Sequence, residues 1–180
     1  MIEVSQPAGQ VAAIPPEDDA VPDILDVLEI ARADLAAQPI QNAATSRVKT
    51  LVPIRDVARL NDLRPDFDRV AALCERLGST GLYPYAVASM AENRVEARQF
   101  PRASGYPEDA ATGIAATALA FALWDNGLIG DVTRPVEVVQ GRAMGRTSRI
   151  VVRFEQSGDG SWPPGCWLSG EVTPRDTASG

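Results

Sequence analysis

Residues 114–124 read Ile-Ala-Ala-Thr-Ala-Leu-Ala-Phe-Ala-Leu-Trp, apolar almost all the way round a helical wheel. A helix of that kind is buried on every side rather than lying on a surface. The surrounding pattern extends it to a predicted helix over 109–126, stopped by Gly127. Residues 23–32 carry Ile24, Leu25, Leu28 and Ala31 at helical spacing. Asp66 opens a third helix, with Phe67, Val70, Leu73, Cys74 and Leu77 along one stripe and Gly78 as its stop. Apolar runs predict strands at 11–14, 40–46, 49–54, 82–88, 94–100, 136–140, 149–154 and 166–173. Pro53 belongs on an edge or at a strand end. Ile150, Val152 and Phe154 alternate along one strand, and Cys166, Leu168 and Val172 along its neighbour, with a hairpin-like link between them. Strands dominate, so the class is α+β. A curved, barrel-like sheet around one long buried helix is the simplest way to cover that helix in so short a chain. We expect one domain over 8–173 and a frayed, small and polar tail over 174–180.

Composition narrows the chemistry. At 180 residues the chain can bury one substantial core. A formal net charge of -7 argues against a nucleic-acid partner, because such a surface must neutralise phosphates with Lys and Arg. The sequence has no histidine, which removes Ser-His-Asp triads, Cys-His pairs and His-containing metal sites. Acid-base work must fall to carboxylates, Cys, Lys or Tyr. Cys74 and Cys166 form no CxxC pattern and read as buried thiols, with no metal site indicated. The longest apolar stretch is about half of the roughly 20 residues a membrane span needs. No signal peptide is expected from the first residues, and a cytoplasmic home fits two unpaired thiols.

The start of the apolar helix carries the candidate chemistry. Glu108 and Asp109 sit near its predicted cap, where carboxylates accept from unpaired amides. Ala111, Thr112 and Gly113 then present small side chains beside open backbone N–H groups, a ready site for a carboxylate. The alternative is plain N-capping by Asp109 and close packing at Gly113.

The run Gly-Tyr-Pro-Glu-Asp-Ala-Ala-Thr-Gly-Ile-Ala-Ala resembles the E-D-P-A-T-G-S-A motif of the PhzF-like (phenazine biosynthesis) isomerase family. Upstream, Arg98-Gln99-Phe100-Pro101 resembles that family's R-x-F-x-P strand end. Downstream, residues 140–148, Gln-Gly-Arg-Ala-Met-Gly-Arg-Thr-Ser, are similar to its Q-G-x-x-M-G-R-P-S segment. The match falls on the family's C-terminal half. The resemblance implies a diaminopimelate epimerase-like fold, in which two similar halves enclose a cleft. It also implies cofactor-free proton shuttling on a small carboxylic acid, so no cofactor is expected. By the same resemblance Asp109 takes part in proton transfer, and the backbone at Thr112, Gly113 and Ile114 holds the substrate carboxylate. Glu108, Gly141, Gly145 and Arg146 are candidate cleft or structural residues.

The sequence departs from the family in three ways. The family's N-terminal half, with its catalytic glutamate and a histidine, has no counterpart here. Ile114 stands where the family has serine, and Ala110 where it has proline. The expected partner is therefore a second copy of the chain, as a homodimer, or a separately encoded N-terminal half. The alternatives are a non-catalytic carboxylate-binding module and a protein-interaction module that kept only the fold.

Overall fold

The computed structural model describes residues 3–172. Strands β1 (Val4–Pro7) and β2 (Gln10–Ala13) come first, followed by helix α1 (Ala20–Leu28). Strands β3 (Gln41–Ala44) and β4 (Val48–Pro53) precede helices α2 (Val57–Asn61) and α3 (Phe67–Arg76). Next are β5 (Gly81–Ser89), β6 (Arg94–Ala97) and β7 (Phe100–Pro101), then helix α4 (Gly113–Asp125). Strands β8 (Val136–Gln140), β9 (Ser148–Phe154) and β10 (Gly165–Val172) complete the described chain. The expected tail at 174–180 lies outside the described residues.

The ten strands form one sheet in the order β1-β10-β9-β8-β6-β5-β4-β3-β2, with β7 paired to β5 off that path. The β4–β5 and β6–β8 pairs are parallel and the others antiparallel. The two ends of this order, β1 and β2, are consecutive in the chain, joined only by Ala8 and Gly9. The sheet must therefore curl until its edges nearly meet. At that seam a Cβ on Gly9 would lie 2.4 Å from the Phe121 ring. Only glycine lets the chain cross the core there.

The concave face packs on α4. Residues 115–123 of that helix are all buried, against Leu51, Tyr83, Tyr85, Val138, Val152 and Phe154 from the strands. Full burial of a side chain such as Leu119 or Phe121 contributes about 1.5–3 kcal/mol, against about 1 kcal/mol for a typical cap. Burial, not capping, holds α4 in place. The helix begins at Gly113, not at Asp109 as the sequence predicts.

A second helical layer covers the convex face, where the sequence suggested a single central helix. Val52, Ile54, Leu82, Ala86 and Phe100 point that way and pack on Ile24 and Leu28 of α1 and on Val70, Leu73 and Cys74 of α3. Central strands β4 and β5 are buried along most of their length, with alternate residues in the two layers, so they read as continuous apolar runs. Helix α1 starts earlier than predicted, at Ala20, because Pro22 is tolerated in a first turn. It stops at Leu28, where Glu29 turns left-handed with φ 54°. No helix among the described residues is long and apolar enough to cross a membrane.

Both cysteines are free and buried, one in each layer. Burial pushes each thiol up to about 11 from an ordinary 9.0. Neither should react with a thiol reagent in the native state, and both should react once denaturant is added. An unfolded thiol loses its proton first as pH rises, so stability should fall between pH 9 and about 11. Replacing both cysteines with alanine should reduce that loss between pH 9 and 10 in a thermal-melting series, while above pH 10 the buried Tyr83 and Tyr85 hydroxyls, also pushed upward by burial, still lower stability.

Candidate functional site

The sequence motifs meet at the N-terminal end of α4. After β7 the chain loops outward and returns at Asp109, whose amide donates to Gln99 O at 3.0 Å. Gln140, the last residue of β8, donates from Nε2 to Asp109 O at 2.7 Å and to Thr112 Oγ1 at 3.1 Å. Ser148 Oγ donates to Ala110 O at 2.7 Å. Tyr83 hydroxyl donates to Gln140 Oε1 at 2.8 Å and so fixes which way that amide faces. Burial, reinforced by the charge of Asp109, pushes the Tyr83 hydroxyl well above the ordinary tyrosine value, so it stays a donor.

Gly141 and Gly145 hold the left-handed backbone of the second motif, with φ 82° and 66°. A Cβ on Gly141 would lie 2.3 Å from Arg146 O and 3.0 Å from Ala110 O. Gly141 is thus the close-contact point between the two motifs. Arg146 is exposed and has no hydrogen-bonded or ion-paired carboxylate among the described residues.

Asp109 does not cap α4, contrary to the sequence reading. Its Oδ1 accepts from the Ala111 amide at 3.4 Å, and its Oδ2 accepts from the Thr112 hydroxyl. The N-cap residue is Thr112, with no side-chain cap bond. The first-turn amides of Gly113, Ile114 and Ala115 therefore have no intrahelical acceptor and no side-chain cap. Glu108 is not a cap either. Arg98 grips it in a fork, Nε to Oε1 at 2.9 Å and Nη2 to Oε2 at 2.8 Å, while Arg98 Nη1 donates to Leu60 O and Leu63 O. Arg98 also stacks 5.0 Å from the Phe100 ring centre.

Asp109 opens onto a depression of about 580 Å³, lined also by Phe67, Tyr106, Glu108, Met144 and Arg146. That volume is in the range of small-molecule sites. Glu108 is locked by its fork, which leaves Asp109 as the unclamped carboxylate there. Thr112, Gly113 and Ile114 lie behind Asp109 and do not line the depression. The side of Gly113 that looked open from sequence is filled, since a Cβ there would meet Leu168 Cδ2 at 2.4 Å. Small size at Gly113 serves packing against β10.

Several neighbours gave no functional signal in the sequence. Phe67 reads as a core-stripe residue, yet it is 43% exposed and forms a rim of the depression. Tyr106 and Met144 join it from loops. Lys49, the chain's single lysine, is buried on β4.

The family described as phenazine biosynthesis-like protein matches residues 1–170. An uncharacterized isomerase of Escherichia coli, YddE, is 31% identical over 133 residues, 72% of this chain and 44% of that protein. An uncharacterized isomerase of Deinococcus radiodurans is 35% identical over 123 residues, 67% of this chain and 39% of that one. The crystal structure of a Bacillus anthracis phenazine biosynthesis protein of the PhzF family superposes with a TM-score of 0.78 at 16% identity, over 96% of this chain and 58% of that one. The chain spans about half the length of the curated relatives it matches. The family match runs across nearly the whole chain and does not itself assign it to the C-terminal half.

Proposed function

The chain belongs to the phenazine biosynthesis-like protein family, and from that premise we propose that it forms one wall of an isomerase or epimerase site. In this reading Asp109 moves a proton on a small carboxylic acid, with no cofactor. One observation carries it: Asp109 is the carboxylate left unclamped at the depression, beside the uncapped first turn of α4. The Thr112 hydroxyl occupies Asp109 Oδ2, which leaves Oδ1 turned to the weak Ala111 contact and able to accept a proton. Backbone N–H groups at Thr112, Gly113 and Ile114, which lie outside the lining of the depression, would hold the substrate carboxylate through the positive end of the helix once a ligand reaches past Asp109. The chain would correspond to the C-terminal half of its longer relatives. The opposite wall, with the second proton-transfer group, would come from a second copy or a separate N-terminal half.

A non-catalytic carboxylate-binding reading has one observation in its favour, the Leu168 side chain filling the space over Gly113. Incubation in D2O with a panel of small carboxylic acids separates the two. Mass spectrometry should find deuterium entering carbon when the chain is concentrated enough to associate, with light scattering reporting the associated state. Saturable binding without carbon exchange, in every associated state, would leave only the binding reading.

A further inference from the structure

The depression beside Asp109 is lined by one cation that the proton-transfer reading does not use. Arg146 is exposed there, and its guanidinium has no acceptor among the described residues. Most arginines of this chain meet a carboxylate, as Arg59 meets Asp34. Arg142, in the same motif as Arg146, donates from Nε to Glu96 Oε2 at 2.9 Å. Glu108, the other carboxylate lining the depression, is already neutralised by Arg98. No ion pair or hydrogen bond among the described residues uses the charge of Arg146.

The backbone of Arg146 is pinned close to Asp109. Gly145 turns left-handed just before it, with φ 66°, and the Arg146 amide donates to Gly141 O at 3.1 Å. A Cβ on Gly141 would meet Arg146 O at 2.3 Å and Ala110 O at 3.0 Å, so the two carbonyls crowd one point. Ser148 Oγ then ties Ala110 O to β9 at 2.7 Å. Arg146 thus stands against the residue that follows Asp109, on a turn that cannot drift from it. The rest of the lining is largely apolar, with Phe67, Tyr106 and Met144.

We propose that Arg146 determines specificity for dicarboxylic acids, pairing with the carboxylate remote from the reacting carbon. The proposal rests on the proton-transfer reading for the site and adds the substrate class. An acid entering this depression is repelled by the charge of Asp109, and a guanidinium lining the same depression offsets that repulsion. The guanidinium also presents parallel N–H donors that match the two oxygens of a carboxylate. In the proton-transfer reading the reacting carboxylate goes to the amides of Thr112, Gly113 and Ile114, past Asp109 and outside the lining. A ligand that spans from those amides to Arg146 carries an acid at each end and passes its reacting carbon by Asp109. The apolar lining suits the carbon skeleton between the two ends.

The probes are glutarate and its half-amide glutaramate, which keeps the length and loses one charge, titrated by calorimetry in each associated state. Glutarate should bind about tenfold tighter, and succinate and adipate should report the span between the two ends. Arg146→Met should erase that advantage while leaving glutaramate within about twofold. It should melt like the parent, since the side chain holds no bond to lose. Arg146→Lys, which keeps the charge and loses the fork, should restore part of the advantage. Equal binding of the two probes overturns the proposal, and deuterium entry into either acid then tests Asp109 by itself. An Arg146→Met protein that loses both probes alike would put Arg146 on the reacting carboxylate and overturn it too. If no acid binds or exchanges in any associated state, the proposal and the proton-transfer reading fall together.

Discussion

Asp109→Asn should abolish proton transfer, by about 10²–10⁴-fold, while leaving the fold in place. The amide has nearly the shape of the carboxylate, so its oxygen can still accept from Ala111, and its nitrogen can meet the Thr112 hydroxyl oxygen. The backbone bonds from Asp109 N to Gln99 O and from Gln140 Nε2 to Asp109 O involve no side-chain atom of Asp109. The stability cost should therefore stay near that of one weakened hydrogen bond, about 0.5–1.5 kcal/mol. An amide cannot carry the proton, and this chain has no histidine to take over. Solvent deuterium entry into carbon is the readout, with urea denaturation as the control for folding. Undiminished exchange in the variant would remove Asp109 from the reaction.

Arg98→Met should cost about 3–5 kcal/mol of stability, a large share of the roughly 5–15 kcal/mol of a typical domain. The Arg98 and Glu108 side chains are 5% and 10% exposed. Removing the guanidinium strands a nearly buried carboxylate and takes one donor from each of the Leu60 and Leu63 carbonyls, which keep bonds from the Leu63 amide and from Arg64 Nη1. Because the fork holds the loop directly before Asp109, ligand binding at the depression should weaken as well. Adding Glu108→Leu to the variant should recover most of the stability, since a matched apolar pair often replaces a buried ion pair at little cost. Urea melts of the two single variants and the double variant measure this. A loss below about 1 kcal/mol for Arg98→Met would show that the fork contributes little.

Periodicity made the core elements legible. The α3 stripe and its Gly78 stop, and the all-round apolar run of α4, appear in the sequence close to where they fold. The α4 start was misplaced because Glu108 and Asp109 look like caps. Their partners, Arg98 and the Thr112 hydroxyl, are settled by tertiary structure and local loop geometry that spacing does not encode. Strand β1, reading Val-Ser-Gln-Pro, has no apolar alternation and is a strand because β10 pairs with it. Helix α2 has five residues, too few for a period, and its only local sign is Asp56 accepting from the Arg59 amide at 2.7 Å. The depression was only half readable. Asp109 and Arg146 stand in motifs, whereas Phe67 sits at a core-like spacing and faces outward only because α3 begins there.

The seam between β1 and β2 has a consequence for how the molecule is made. β1 pairs with β10, so Val4 sits opposite Leu168. On the ribosome, β1 emerges long before the strand that will hold it. Most of the sheet can assemble as a ladder of neighbouring strands, but its closure joins segments at nearly opposite ends of the described chain. Pairings of such high sequence separation fold slowly, since loop-closure entropy is lost before the contact rewards it. Until β10 arrives, α4 lies in an unfinished shell, with apolar helix surface and a free strand edge exposed to other chains. Refolding yield should accordingly depend on protein concentration. The first strand of the described chain is among the last to be seated.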